Sequence, residues 1–260
     1  MDQDRRTLDE SAREPLIAPS GVSLEGVGRT FGKRVALSPV DVKIQAGEFV
    51  SLLGPSGSGK STLLRIIAGL EKADRGVVKV GHSRKSFVFQ EAALLPWRTV
   101  FANVRLVFEV DPSSRLAPVE ADRRTREALA LVGLLDSVDL FPNQLSGGMR
   151  MRVSVARAIA SKPALLLLDE PFSALDEPSR HRLQSDLRTL WKTLGMTIVF
   201  VTHSVSEAVF VSDRAIVFSH GPGRIVLDHP IALPESRDAN TRLSLDYLRE
   251  IGEVNRAFAI

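Results

Sequence analysis

The chain has 260 residues, 44% of them hydrophobic and 25% charged, enough for a substantial buried core in one large domain or two small ones. A net charge of only +3 announces no extended basic surface for nucleic acid or acidic lipid. The absence of cysteine excludes disulfides and thiolate metal sites and suits a reducing compartment.

Residues 1–20, charged and containing Pro and Ser, read as a flexible tail without an apolar segment of signal-peptide length. Alternating or β-branched stretches at 22–27, 40–44 and 49–53, broken by glycines, read as strands. The spacing predicts a helix over 60–70 and strands over 77–80 and 86–89. From about 91 to 161 the character changes to helix, with periodicity at 99–110, 120–131 and 147–160 and joints near Pro112 and Pro142. Alternation then resumes: strand 165–168, helix 178–194, strand 197–201, helix 204–211, strand 215–218, an edge strand at 225–227 and a closing helix at 241–258. This order predicts a mainly parallel sheet with helices on its faces, interrupted by the helical block. The most apolar runs, 164–168 and 197–201, are too short to cross a bilayer, so any membrane link is expected to run through a partner.

Residues 54–61, GPSGSGKS, fit G-x-x-x-x-G-K-[ST] between an apolar strand and a helix. Gly54, Gly57 and Gly59, with Pro55, Ser56 and Ser58 between them, let backbone N–H groups curl round a phosphate. Lys60 reaches the terminal phosphates, and the Ser61 hydroxyl is a magnesium ligand. The run LLLLDE at 165–170 forms a buried strand that ends in two carboxylates, where open α/β sheets bind ligands. Asp169 would hold the magnesium, directly or through water, and Glu170, pointing elsewhere, could deprotonate an attacking water. His203, after the strand 197–201, reads alone as a structural histidine, but beside a phosphate loop it can donate to a γ-phosphate. Gln90, also at a strand end, is ambiguous by itself and similarly placed to touch metal or water. A second anion-attracting feature lies at 145–158, LSGGMRMRVSVARA: Ser146 is a natural N-cap, and Gly147 and Gly148 leave the first-turn N–H groups open. One chain thus carries one phosphate cradle and one bare helix N-terminus, most economically used on different faces.

With these motifs in this order, the sequence resembles the ATP-binding subunits of ABC transporters from about residue 22 to the closing helix. The matching stretches are GPSGSGKS, FVFQEAALLPW around Gln90, the signature LSGG at 145–148 that opens the helix 147–160, LLLLDE followed by PFSALD, and VTH at 201–203. The resemblance implies an α/β P-loop NTPase (RecA-like) with a parallel-sheet core, an N-terminal antiparallel β subdomain and an inserted α-helical subdomain. The expected division is a tail at 1–20, the ATPase domain at 21–240 with its insertion at about 91–161, and a C-terminal helix at 241–260. It implies ATP and Mg2+ held by residues 54–62, Thr62 included, with Ser61, Gln90 and Asp169 toward the metal. In such proteins the counterpart of Glu170 is the base and that of His203 meets the γ-phosphate, while the loop 173–176 communicates across a dimer. Phe31 is the candidate to stack on adenine, a buried core phenylalanine being the alternative. Ser146, Gly147 and Gly148 would close over ATP held by a partner copy's Lys60.

The stretches EAALLPWRTVFANV, THSVSEAVFVSDRAIVFS and GPGRI are similar to those of nitrate/sulfonate/taurine importer ATPases, implying import of a small anionic solute. The partners so implied are a second copy, two copies of a membrane permease and, indirectly, a solute-binding protein, without nucleic acid. The implied location is peripheral, on the cytoplasmic face of the bacterial inner membrane. Leu94, Leu95, Pro96, Trp97 and Phe101 either pack a small helical lobe or form a groove for a permease helix. Three residues depart from the family pattern: Met149 for Gln, Ser204 for Asp and Phe31 for Tyr. The alternatives are a soluble ABC-type ATPase that remodels nucleic acid or protein, and a monomeric P-loop kinase or switch, which leaves 145–158 without a role.

Overall fold

The computed structural model describes residues 21–81 and 84–258, so the expected tail at 1–20 lies outside the described residues. Among the described residues nine strands and seven α-helices follow in the order β1 (Val22–Phe31), β2 (Arg34–Ile44), β3 (Phe49–Leu53), α1 (Lys60–Ala68), β4 (Arg75–Val80), β5 (Lys85–Val88), α2 (Val100–Val110), α3 (Pro118–Leu131), α4 (Gly147–Ala160), β6 (Leu165–Asp169), α5 (Glu177–Leu194), β7 (Thr197–Thr202), α6 (Val205–Val211), β8 (Arg214–Phe218), β9 (Ile225–Pro230) and α7 (Leu245–Phe258).

Two sheets organise these elements. An antiparallel sheet has the order β2-β1-β4, and a six-stranded sheet has the order β5-β6-β7-β3-β8-β9. In the larger one β5, β6, β7, β3 and β8 run parallel and β9 closes the edge antiparallel to β8. Helices α2, α3 and α4 all fall between β5 and β6, as the helical block predicts.

Every residue of β3, β6 and β7 is buried, which is why these strands read as continuous apolar runs: a parallel sheet is covered on both faces. Period-two alternation then divides the runs between two cores. Leu166, Leu168, Ile198 and Phe200 face the helices α2 to α6, while Leu165, Leu167, Val199 and Val201 face α1 and the antiparallel sheet. The carboxyl ends of β6, β7 and β3 lie side by side, so three sequence motifs arrive at one sheet edge.

Several boundaries differ from the sequence expectation. β1 and β2 run on to a two-residue turn in which Gly32 has φ 58, and irregular pairing after Leu24 and Val27 hides the alternation. Pro39 is tolerated inside β2 because that strand is an edge. Helix α1 stops at Ala68, since Gly69 adopts φ 80 and its N–H bonds back to Arg65 and Ile66 carbonyls. The closing helix begins only at Leu245, after a 3-10 turn at Thr241–Leu243, and Ser244 Oγ accepts the Tyr247 N–H at 3.2 Å.

Candidate nucleotide site

The loop between β3 and α1 is preformed as a cradle. Lys60 is 4% exposed, and its Nζ donates to the carbonyls of Gly54 (2.7 Å) and Pro55 (2.8 Å) and to Ser58 Oγ (3.1 Å). Burial pulls its ammonium below the usual lysine range, opposed by Glu170 and Asp169. A backbone clamp fixes the loop from both sides. A Cβ at Gly59 would lie 2.4 Å from the Ala36 carbonyl oxygen of β2, and one at Gly223 would lie 1.7 Å from that of Ser58. The two jaws are themselves joined, because the Ser38 N–H donates to the Gly223 carbonyl at 3.0 Å.

Ser61 Oγ donates to Asp169 Oδ1 at 2.7 Å. Asp169 is 6% exposed, and burial pushes its carboxyl up against the lowering effects of Ser61 and of Arg65 at 3.9 Å. A hydroxyl and a carboxylate converging in this way are hard oxygen donors that fit Mg2+. Among the described residues no three His, Cys, Asp or Glu side chains gather as a metal-binding group, so water and phosphate would supply the remaining ligands.

Glu170 has φ 45, a left-handed conformation unusual for a side chain of its size, held by its N–H to the Val201 carbonyl at 3.0 Å. This turn sends Glu170 away from the Asp169 position. Its Oε2 lies 3.1 Å from His203 Nδ1, and its carbonyl accepts from Ser173 Oγ at 3.0 Å. Gln90 Nε2 in turn donates to Ser173 Oγ at 3.2 Å. Gln90, Glu170 and His203 are therefore brought into one hydrogen-bonded group.

A cleft of about 340 Å³ runs from this loop to the β1–β2 turn, bounded by Phe31, Arg34 and Ala36 on one side and by Ser56, Gly57, residues 59–62 and Glu170 on the other. Phe31 is 45% exposed, with the Arg29 guanidinium 4.6 Å from its ring centroid, so it is a rim residue and not part of the core. Sequence reasoning missed Arg34, Ala36 and the turn 219–224 as parts of the site. The only signal for Arg34 was a cation three residues beyond the aromatic.

Ser146 caps α4, accepting the Met149 N–H at 3.2 Å. Neither it nor Gly147 or Gly148 lines the cleft that holds Lys60. A Cβ on Gly147 or Gly148 would meet only ordinary contacts within the chain, the nearest at 3.7 and 3.5 Å, so internal packing does not require glycine there. Gln90, Leu94, Pro142, Gly147, Met151 and Leu175 instead line a separate groove, also about 340 Å³, at the edge of the helical block. Trp97 is 71% exposed, whereas Leu94 and Phe101 pack partly against the core.

Comparisons with known proteins identify the family. The ABC transporter family model matches residues 37–173. The chain is similar to the aliphatic sulfonates import ATP-binding protein SsuB 1 of Xanthomonas axonopodis pv. citri, 44% identical over 85% of this chain and 90% of the relative. It is also similar to the sulfate/thiosulfate import ATP-binding protein CysA of Vibrio cholerae, 43% identical over 90% of this chain, which spans 64% of that relative's length. Among solved structures it resembles a dimeric ATP-binding cassette in a post-hydrolysis state bound to ADP and Pi, with a TM-score of 0.68 and 33% identity over 79% of this chain and 99% of the other. Matched by the family model across both cradle and carboxylates, and by relatives over nearly its whole length, the chain belongs to the ABC transporter family as a nucleotide-binding P-loop ATPase.

Proposed function

We propose that this ATPase, coupled to transport, is the energising subunit of an importer for a small anionic solute, and that it works as a homodimer beneath a separate membrane permease. The observation that carries the reading is a division of labour. One cleft is lined by Lys60, Ser61 and Glu170, with Asp169 bonded to Ser61, while the capped glycine N-terminus at Ser146 does not line it. A second copy supplies the missing wall. The dimeric ADP-bound cassette supports this pairing.

In this reading Phe31 stacks on the adenine, and Gly54, Pro55, Ser56, Gly57, Ser58, Gly59 and Thr62 present the loop to the phosphates. Lys60 exchanges its carbonyl partners for phosphate oxygens. Ser61 and Asp169 would hold Mg2+, with Gln90 reaching toward it; the metal neutralises charge on the phosphates. Glu170 takes the proton from the attacking water at its Oε1, and His203, whose Nδ1 lies 3.1 Å from Oε2, stands beside it to donate to the γ-phosphate. Ser146, Gly147 and Gly148 of the partner close the sandwich, their N–H groups stabilising charge that develops on the γ-phosphate.

The groove beside Gln90 receives a short permease segment, so nucleotide state at one end of the helical block sets permease access at the other. No described helix is long and apolar enough to cross a membrane, and the permease holds the subunit at the cytoplasmic face of the bacterial inner membrane. A solute-binding protein delivers the cargo. Relatives named for aliphatic sulfonates and for sulfate/thiosulfate favour a sulfur oxyanion within the nitrate/sulfonate/taurine range.

Glu170→Gln tests the reading. It is expected to bind ATP, to hydrolyse it about 10²–10⁴-fold more slowly, the usual worth of a general base, and to run as a dimer with ATP in light scattering. A variant that stays monomeric with ATP overturns the homodimer. For the solute, transport ATPase in proteoliposomes is expected to rise with an alkanesulfonate and its binding protein; stimulation only by an uncharged solute overturns that assignment.

A further inference from the structure

The loop after Glu170 is gripped from opposite sides. On one flank Gly147 lies beside it, a Cβ there being 3.7 Å from Leu175 Cδ2, while Gly148 lies beside the first turn of α5, a Cβ there being 3.5 Å from Ser179 Cβ. On the other flank Arg180, in the first turns of α5, reaches back so that its Nη2 donates to the Leu175 carbonyl at 2.8 Å. The same guanidinium places Nε 3.5 Å from Glu207 Oε1 in α6. Glu207 is 6% exposed, its Oε2 accepts from Thr202 Oγ1 at 2.5 Å, and its N–H donates to Ser204 Oγ at 3.3 Å. Thr202 Oγ1 also accepts the Ser204 N–H at 3.0 Å. Thr202, on one side of His203, is thereby tied to the buried carboxylate, and Ser204, on the other, to the Thr202 hydroxyl and the Glu207 N–H.

Neither Arg180 nor Glu207 lines the nucleotide cleft. Stability is a weak reason for their pairing, because an apolar pair of similar volume would join α5 to α6 with less desolvation cost. A charged contact has another property: at Leu175 it is a directional hydrogen bond, and at Glu207 it is an ion pair whose attraction follows the carboxylate without a close apolar fit, Nε making no hydrogen bond there.

We infer that Arg180 and Glu207 form a strut that carries movement of the Ser146–Gly148 end, through Leu175, to Thr202 and so to His203. Closing of the signature helix on the partner's nucleotide then sets the histidine that faces the chain's own nucleotide. The two sites of a dimer are coupled through each chain as well as across the interface. Arg180 and Glu207 are positioning residues; they touch neither substrate nor metal. The inference rests on the homodimer reading above.

The test uses full-length Arg180→Gln, Glu207→Gln and the double variant. Gln at 207 retains an acceptor for Thr202 and removes the charge. Each single variant is expected to lower kcat by about tenfold or more while KM for ATP stays within about twofold, the pattern of a misplaced catalytic group. The double variant is expected to be no slower than the worse single, because one strut is broken once. Losses that add, or an unchanged kcat, overturn the inference, as does a loss confined to KM or tracking only the melting temperature. Arg180 is 33% exposed, so Arg180→Gln decides the matter even where Glu207→Gln fails to fold. Glu170→Gln, run alongside, separates the two readings. Failure of that variant to dimerise with ATP removes the homodimer; dimerisation together with full kcat in Arg180→Gln removes only the strut.

Discussion

In the proposed mechanism Asp169 holds a cation, and its burial in the empty fold is a cost. Burial raises its carboxyl above the usual range, so the native chain holds that proton more tightly than the unfolded chain does. The sign follows: native stability falls as pH rises from the ordinary carboxylate range through the raised native value. A neutral Asn escapes this fall and keeps an acceptor for Ser61 Oγ, now 2.7 Å away. Asp169→Asn is therefore expected to melt no lower than the parent at pH 7 without nucleotide. It is expected to lose most of the stabilisation that Mg-ATP adds, and at least about a hundredfold in kcat, since metal charge stabilisation is worth several kcal/mol. Calorimetric scans with and without Mg-ATP, beside steady-state rates, check both halves. A variant that melts lower yet still gains fully from Mg-ATP contradicts the metal role given to Asp169.

Among the elements, the turn joining β8 to β9 gives the phosphate loop its second wall. Gly223 contacts Ser58 so closely that a methyl cannot fit, and its carbonyl is anchored by the Ser38 N–H. Gly223→Ala must push the loop off the position that Lys60 requires. A stability loss of about 1–3 kcal/mol is expected, as for other overpacked sites, with a rise of about tenfold or more in the Kd for ATP from the displaced cradle. Gly252 in α7 has nothing near its Cβ position, and Gly252→Ala is expected to stabilise by about 0.5–1 kcal/mol with Kd unchanged. Equal ATP affinity in the two variants would remove the turn from the site. This turn also marks where sequence reading stops. The runs at 165–168 and 197–201 were legible because a strand covered on both faces is apolar almost throughout, and the phosphate loop because its glycine spacing is dictated locally. The reach of β1 to Phe31 was not, since Gly26 and Gly28 interrupt the alternation while the ladder continues across bulges. Gly223 and Arg34 were not either: their importance lies in contacts with Ser58 and Gly57, and nothing in their own neighbourhoods announces a partner so distant in the chain.

For the whole molecule the decisive feature is a cleft furnished on one side and a helix N-terminus furnished for a cleft it does not line. If each chain's Ser146–Gly148 acts on the other chain's nucleotide, damage to the two ends must complement between chains. Ser146→Arg blocks the signature and removes an N-cap that contributes about 1 kcal/mol, which a chain of this size tolerates. It is expected to bind ATP as a monomer within about twofold of the parent and to lose about 10²–10³-fold in kcat, the usual worth of an anion-stabilising donor. Lys60→Ala is expected to lose activity from the other end, by removing the ammonium that Gly54 and Pro55 now hold in place. Mixed in equal amounts, the two inactive variants form some heterodimers in which the intact Lys60 of one chain faces the intact Ser146 of the other. Such mixtures are expected to recover ATPase activity that neither variant has alone. A signature that served its own chain's nucleotide would leave every chain in the mixture defective, so a mixture as inactive as its components would place both halves of the site in one subunit.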